Sequence, residues 1–225
     1  MLRSLFLFVL FSPWTIAKFA ITPIGKFREG LGDNTNIDSP GRKLQATQAP
    51  SGYSAQTLDV PVDHFQTSSR YEPHSNATFK LRYFFDSQYY RDGGPIIVLA
   101  AGETDATKRI RFLKTGIINQ LVRATHGIGV ILEHRYYGNS FPVPDLSIPN
   151  MRFLSTEQAM ADTAYFAKNV QFPGHKTGER SLNAPYTPWI MYGGSYAGAF
   201  SAFLRVTYPD IFWGKDVFSY HVQAF

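Results

Sequence analysis

The chain has 225 residues, of which 44% are hydrophobic, 16% aromatic and 17% charged. This composition supports a packed core and excludes a wholly disordered protein, a collagen-like repeat and a coiled coil. Because cysteine is absent, disulfides, a thiolate nucleophile and iron–sulfur clusters are excluded as well. The formal net charge is +5, but the densest basic run, at 108–114, is interrupted by apolar residues. It predicts a solvated helix face, so we expect no nucleic-acid partner.

The first 17 residues have the pattern of a secretory signal peptide. Arg3 precedes an apolar stretch at 5–11, and residues 15–17 place small side chains where signal peptidase reads. The alternative is a buried helix or a membrane anchor. However, the stretch is shorter than the roughly 20 residues that span a bilayer, and Pro13 interrupts it. We therefore predict secretion, with no membrane association after cleavage.

Residues 18–56 form a polar segment with no sustained apolar period. Such a segment cannot bury enough surface to offset its ordering entropy, which predicts a flexible arm or propeptide. Beyond it, residues 79–85 have the alternating, aromatic content of a strand. Asn76 opens an N-A-T glycosylation sequon just before this strand, which secretion would make usable; the alternative is an unmodified turn residue.

Short apolar runs then alternate with helix-like segments. Each run is bounded by turn residues and is too short for a buried helix, which predicts buried parallel strands. The runs lie at 95–101, 128–132 and 189–192. Helices are predicted at 104–125 and 156–170, the second with Ser155 as its cap and Gln158 returning the bond. This succession predicts an α/β fold with an open, mostly parallel sheet.

The third apolar run leads into G-G-S-Y-A, a G-x-S-x-A form of the nucleophile elbow between a strand and a helix. A serine at so sharp a turn has a strained backbone, so the residues two before and two after it must be small, as Gly193 and Ala197 are. The backbone N–H of Tyr196 would then stabilise an oxyanion at the positive end of the new helix. We predict that Ser195 is a nucleophile rather than part of a plain tight turn.

Two other strand ends carry candidate site residues. The Gly102 loop follows the first apolar run, where a second oxyanion donor is expected. The alternative there is a turn that starts a helix, with Glu103 at its positive end. After the second run come Glu133, His134 and Arg135. His134 is a tempting base, but a histidine between an acid and a base is more often part of a local salt-bridge network, and in hydrolases of this sheet type the base follows the serine.

Four motifs occur in order along the chain: GGPIIVLAAGE, EHRYYGNS, STEQAMADTAYF and GGSYAGA, preceded by VDHF. Together they resemble the family of secreted and lysosomal serine peptidases that includes lysosomal Pro-Xaa carboxypeptidase, dipeptidyl peptidase II and thymus-specific serine protease. The resemblance implies an α/β-hydrolase fold with a helical cap domain inserted after the nucleophile region, and exopeptidase action on peptides after proline or small residues. It also implies Ser195 as nucleophile, with Tyr196 and the Gly102 loop as oxyanion donors, in a secreted, lysosomal or vacuolar protein.

A serine hydroxyl needs a histidine base and an orienting acid, which this family carries far downstream. Only 30 residues follow Ser195. Asp210, Asp216 and His221 stand in the right order there, but each further strand–helix unit needs about 30 residues, which argues against a compact triad. The sequence predicts a carboxy-terminally truncated hydrolase domain at 57–214, without the cap domain and later strands, and a divergent tail at 215–225.

Two functions follow as hypotheses. The first is a secreted serine exopeptidase, either a carboxypeptidase or a dipeptidyl peptidase acting on proline-linked substrates. The second is an inactive fragment or pseudoenzyme that at most binds peptides. An esterase or lipase is disfavoured by the motif at 133–138. The six histidines form no pair with metal-binding spacing, so neither a metal nor another cofactor is expected.

Overall fold

The computed structural model describes residues 52–175 and 181–213. The predicted signal peptide, most of the predicted arm and the predicted tail lie outside the described residues. Asp216 and His221 lie outside them too. Within these two ranges, no helix has both the length and the apolar character needed to cross a membrane.

In the described part of the chain, five strands form one sheet in the order β1-β2-β4-β3-β5. They are β1 (Gln56–Pro61), β2 (Thr78–Asp86), β3 (Ile96–Ala100), β4 (Ile128–Leu132) and β5 (Trp189–Tyr192). β3 runs parallel to both β4 and β5, as predicted. β2 runs antiparallel to β1 and β4, so "mostly parallel" holds only for β4, β3 and β5. The connection at 87–95 is too short for a crossover helix, so the chain reverses direction between β2 and β3.

The α-helices among the described residues are α1 (Arg111–Lys114), α2 (Ile117–Thr125), α3 (Thr156–Asn169) and α4 (Tyr196–Thr207). The single helix predicted at 104–125 is wrong, because a 3-10 turn at Ala106–Arg109 comes first and Gly116 separates α1 from α2. A Cβ at Gly116 would lie 2.4 Å from the Phe112 ring, so the chain turns there where only glycine fits.

The alternation of side chains along β3 divides the core into two layers. Ile96 and Val98 pack in the cluster that contains Phe166 of α3 and Leu204 of α4. Ile97 and Leu99 pack in the other cluster, with residues of α1 and α2. A strand buried on both faces requires helices on both sides of the sheet. This three-layer arrangement holds the carboxyl ends of β3, β4 and β5 at one edge.

Ser155 caps α3 as predicted, since its Oγ accepts the N–H of Gln158 at 3.2 Å. The expected return bond from the Gln158 side chain is wrong. That side chain donates to Asp63 Oδ1 at 2.8 Å and accepts the N–H of His64 at 2.9 Å. Because Gln158 is fully buried, it is used to fasten the segment before β2 onto α3.

Asp63 gives the fold an acid-sensitive contact. Burial alone would raise its pKa, but hydrogen bonds from His74, the Phe65 N–H and Gln158 outweigh burial and lower the pKa. A carboxyl with a lowered folded-state pKa stabilises the fold above its ordinary pKa and loses that contribution as the pH falls through the folded value.

We therefore expect Asp63→Asn to lower the free energy of unfolding at pH 7 and to differ much less from the parent near pH 2. Urea unfolding at the two pH values measures both differences. Asp59→Asn is the control, because Asp59 is exposed and its ion pair with Lys80 is worth little. An effect of Asp63→Asn that is equal at both pH values would contradict the expectation.

Candidate active site

Ser195 lies between β5 and α4 with φ 57° and ψ −130°, as the elbow requires. A positive φ is strained for any residue with a Cβ, and such strain concentrates at functional sites. A Cβ at Gly193 would lie 2.2 Å from the carbonyl oxygen of Ala197, so only glycine fits two residues before the serine. The Ser195 side chain is exposed on this turn, where a substrate can reach it.

The amide of Tyr196 is placed to serve as an oxyanion donor. Tyr196 is the first residue of α4, so its N–H has no acceptor within the helix. The N–H groups of Gly198 and Ala199, two and three residues later, are already used, because they donate to the Ser195 carbonyl at 3.0 and 3.2 Å. The helix dipole also favours negative charge at this end. This geometry fits the predicted role of Tyr196.

Ser195 lines a cleft of ≈ 470 Å³, together with Gly102, Glu103 and Arg109 among other residues. Gly102 has a φ of 72°, and a Cβ at this position would lie 3.5 Å from the Cβ of Ala197. The loop's flanking amides are already bonded, Ala101 N–H to Leu132 O at 2.9 Å and Thr104 N–H to Gly102 O at 2.8 Å. The Gly102 and Glu103 amides are therefore the donors that this loop can offer to an oxyanion.

The carboxylate of Glu133 lies in a buried cage rather than in the cleft, since its side chain is 0% exposed. Its principal partner is Arg82, whose Nε donates at 3.0 Å. A Cβ at Gly138 would lie 1.9 Å from Glu133 Oε1, which explains the glycine in the motif. The other donors to this carboxylate are the N–H groups of Ala106 (2.9 Å) and Asn139 (2.9 Å) and the Ser140 hydroxyl (2.8 Å). Glu133 thus fastens the carboxyl end of β4 to the middle of β2.

Arg135 forms a second buried pair, with Asp162 of α3. Its Nε and one terminal nitrogen donate to the two carboxylate oxygens at 2.6 and 2.7 Å. Its other terminal nitrogen donates to the carbonyls of Val62 and Phe153 at 3.1 and 2.9 Å. His64 approaches the same carboxylate at 2.7 Å. Arg135 therefore joins four segments of the chain, and its role in this structure is to hold them in place.

His134 differs from both of its neighbours. The expectation that it joins a salt-bridge network with them is wrong, because Glu133 and Arg135 pair with Arg82 and Asp162 instead. Nδ1 of His134 lies 2.7 Å from the carbonyl oxygen of Arg135, and Nε2 lies 3.2 Å from the Tyr196 hydroxyl. Burial lowers the pKa of His134, against the opposing effects of the Arg135 carbonyl and Asp162. The lowered pKa favours the neutral form of the imidazole, which lies against the Tyr196 side chain.

No histidine in the ranges 52–175 and 181–213 makes a hydrogen bond with Ser195. Asp210 is exposed after α4. The same ranges hold no cluster of three metal-ligating side chains. The roles of Ser195 as nucleophile and of Tyr196 and the Gly102 loop as oxyanion donors stay predictions, and the compact triad with Asp216 and His221 stays a hypothesis.

Two residues near the cleft were not singled out from the sequence. Arg109 belongs to the run predicted as a solvated helix face, yet it is half-buried, lines the cleft and donates from Nε to Ala101 O at 3.3 Å. The sequence predicts Thr156 only as the first residue of a helix, but its hydroxyl lies 3.1 Å from that of Tyr196. The Thr156–Tyr196 contact joins residues 40 apart and the Arg109–Ala101 contact residues 8 apart, and no local pattern signals either of them. Asn76 is exposed directly before β2, where an oligosaccharide has room.

The elbow, the order of the strands and the cleft at their carboxyl ends are those of the α/β-hydrolase fold. The family model described as serine carboxypeptidase S28 matches residues 61–222, and the chain belongs to this family. The resemblance drawn from the motifs is thereby confirmed.

Two curated relatives illustrate the range of similarity. A probable extracellular serine carboxypeptidase of Arthroderma benhamiae is 52% identical over 198 residues, covering 88% of this chain and 27% of that protein. The human lysosomal Pro-X carboxypeptidase is 31% identical over 221 residues, covering 94% of this chain and 39% of that protein. The chain therefore spans about a quarter to two fifths of these relatives. Among solved structures, a probable hydrolytic enzyme of Pseudomonas aeruginosa aligns with 12% identity and a TM-score of 0.42, over 71% of this chain and 39% of that one.

Proposed function

We propose that the chain carries the nucleophile and the oxyanion donors of a secreted serine exopeptidase that acts on peptides, including proline-linked ones. The observation that carries the proposal is the elbow itself: Ser195 with φ 57°, exposed at a cleft, directly before a helix whose first amide is free of intrahelical bonding. The names of the two relatives, a carboxypeptidase and a Pro-X carboxypeptidase, support this reaction and substrate class.

The charges in the cleft support action at a chain end. An exopeptidase must distinguish a terminal carboxylate or ammonium group from an internal peptide bond. Glu103 and Arg109 both line the cleft that contains Ser195, and no ion pair within 4.0 Å joins them among the described residues. Arg109 can attract a terminal carboxylate and Glu103 a terminal ammonium group. The carboxypeptidase and dipeptidyl peptidase alternatives therefore differ in which of the two residues the substrate contacts.

Secretion belongs to the same proposal. It rests on the signal-like pattern in residues 1–17, and the exposed sequon at Asn76 is compatible with a glycosylated protein. One relative is named extracellular and the other lysosomal, which are two destinations of the same pathway.

The decisive experiment is labelling with a fluorophosphonate, which reacts with a serine only when that serine is activated. The protein recovered from the medium of expressing cells should be labelled on the tryptic peptide 181–205, and Ser195→Ala should abolish the label. Ser69→Ala is the matched control, because Ser69 is exposed and outside the cleft. A folded, secreted chain that stays unlabelled would overturn the proposal and favour a protein that at most binds peptides.

Peptides with one blocked end resolve the substrate class. A carboxypeptidase should lose activity when the substrate's carboxyl end is amidated, and a dipeptidyl peptidase when the amino end is acetylated. Arg109→Gln should raise KM in the first case and Glu103→Gln in the second. Cleavage of doubly blocked peptides at the same rate would show an endopeptidase instead.

A further inference from the structure

We infer that His134 and Thr156 are positioning residues that aim the oxyanion amide of Tyr196 through the Tyr196 side chain. The inference rests on the proposed function, because it concerns how that function's oxyanion donor is held. It assigns a role to His134 of the EHRYYG motif, which in this structure contacts neither Ser195, as a base would, nor a carboxylate, as a salt-bridge partner would.

The direction of each hydrogen bond follows from the chemistry of the groups. The carbonyl of Arg135 can only accept, so Nδ1 of His134 carries the proton across the 2.7 Å contact. In the neutral imidazole Nε2 is then an acceptor, and the Tyr196 hydroxyl donates to it over 3.2 Å. With its own proton so used, that hydroxyl accepts from Thr156 Oγ1 at 3.1 Å. The three side chains thus form a continuous series of hydrogen bonds, in which Thr156 donates to Tyr196 and Tyr196 donates to His134.

These hydrogen bonds connect the elbow to two fixed points of the fold. At one end is the Arg135 backbone, whose own side chain is fully buried in its pair with Asp162. At the other end is Thr156, the first residue of α3. The aromatic rings add contact, since the His134 ring centroid lies 5.7 Å from that of Tyr196 and 5.9 Å from that of Phe200. The Tyr196 side chain is thus held from both directions.

The elbow needs such support. The positive φ of Ser195 is a strained conformation that persists only where its surroundings over-determine it. Tyr196 is the next residue and carries the proposed oxyanion donor, so fixing its side chain also limits rotation of its backbone N–H. An oxyanion donor stabilises charge only when it points at the developing oxyanion. A small misalignment therefore lowers the rate of the chemical step rather than the affinity for the substrate.

The test compares Tyr196→Phe, His134→Phe and His134→Gln in the kinetics of Ser195 labelling by a fluorophosphonate. Tyr196→Phe keeps the ring and the backbone amide but removes the hydroxyl. We expect the saturating rate of labelling to fall about 10- to 100-fold in Tyr196→Phe and His134→Phe, with the half-saturating probe concentration unchanged. His134→Gln should recover most of the rate, because its amide oxygen can accept from Tyr196. Tyr186→Phe, at an exposed tyrosine, is the control.

The outcomes separate the inference from the proposed function. An unlabelled parent overturns the proposed function and the inference with it. A labelled parent with an equally fast Tyr196→Phe overturns the inference alone. If His134→Gln is as slow as His134→Phe, the ring acts through packing and the positioning role is overturned. Should His134→Phe fail to fold, Tyr196→Phe still decides, because it preserves every ring contact.

Discussion

Arg135→Met should lower the free energy of unfolding by about 3–5 kcal/mol, the cost of leaving one partner of a buried ion pair alone. Asp162 is 2% exposed, so its carboxylate cannot exchange the lost guanidinium for water without opening the core. The carbonyls of Val62 and Phe153 lose donors at the same time. Urea unfolding followed by circular dichroism measures the change, provided that the denaturant dependence stays the same.

A matched surface change separates the buried pair from the loss of a charge as such. Arg70→Met removes an arginine that is 67% exposed and lies 4.0 Å from Glu157, so its effect should stay below about 1 kcal/mol. The double variant Arg135→Met with Asp162→Leu should recover much of the lost stability, because replacing both partners of a buried pair by apolar residues is often close to neutral. Equal effects of Arg135→Met and Arg70→Met would contradict the buried-pair account.

The sequence predicts best those parts of the fold that local pattern decides. β4 and β5 coincide with the predicted runs at 128–132 and 189–192, since short apolar runs between turn residues have few other solutions. The elbow was predictable for a similar reason. A serine flanked by small residues between a strand and a helix satisfies both the steric and the catalytic requirement of one turn.

The partners of buried polar groups could not be predicted in this way. Glu133, His134 and Arg135 are adjacent in the chain and suggested one network, but consecutive side chains leave the backbone in different directions. Glu133 meets Arg82, 51 residues away, and Arg135 meets Asp162, 27 residues away. Those pairings depend on the strand order, which the motif itself does not contain.

Helix bounds and the edge of the sheet depended on tertiary contacts as well. The chain turns at Gly116, where the Phe112 ring leaves no space for a Cβ, although a helical period continues across this position in the sequence. β1 begins at Gln56, which was predicted as the end of the polar arm. Only Val60 among its six residues is buried, and the strand pairs with β2 along its whole length, so the strand is defined by its neighbour more than by its composition.

Gly193→Ala is expected to slow fluorophosphonate labelling of Ser195 by at least about 10²-fold, the scale of a misplaced catalytic group. The added Cβ would lie 2.2 Å from the oxygen and 2.4 Å from the carbon of the Ala197 carbonyl. Both are backbone atoms in the first turn of α4, so no side-chain rotation relieves the clash. The turn must open, which changes the orientation of the Ser195 hydroxyl relative to the Tyr196 N–H. We expect a loss of about 1–3 kcal/mol in unfolding free energy as well.

The adjacent glycine provides the control for this prediction. A Cβ at Gly194 meets no atom within 4 Å, and its φ lies outside the left-handed region, so Gly194→Ala should fold and be labelled at close to the parent rate. Both variants add one methyl group one residue apart and differ only in what it contacts. If Gly193→Ala is labelled as fast as Gly194→Ala, the close approach of β5 to α4 is not what holds the nucleophile, and the geometry proposed for the oxyanion donors loses its support. If both variants are slow while only Gly193→Ala is destabilised, the cleft rather than the turn is sensitive to the added methyl group.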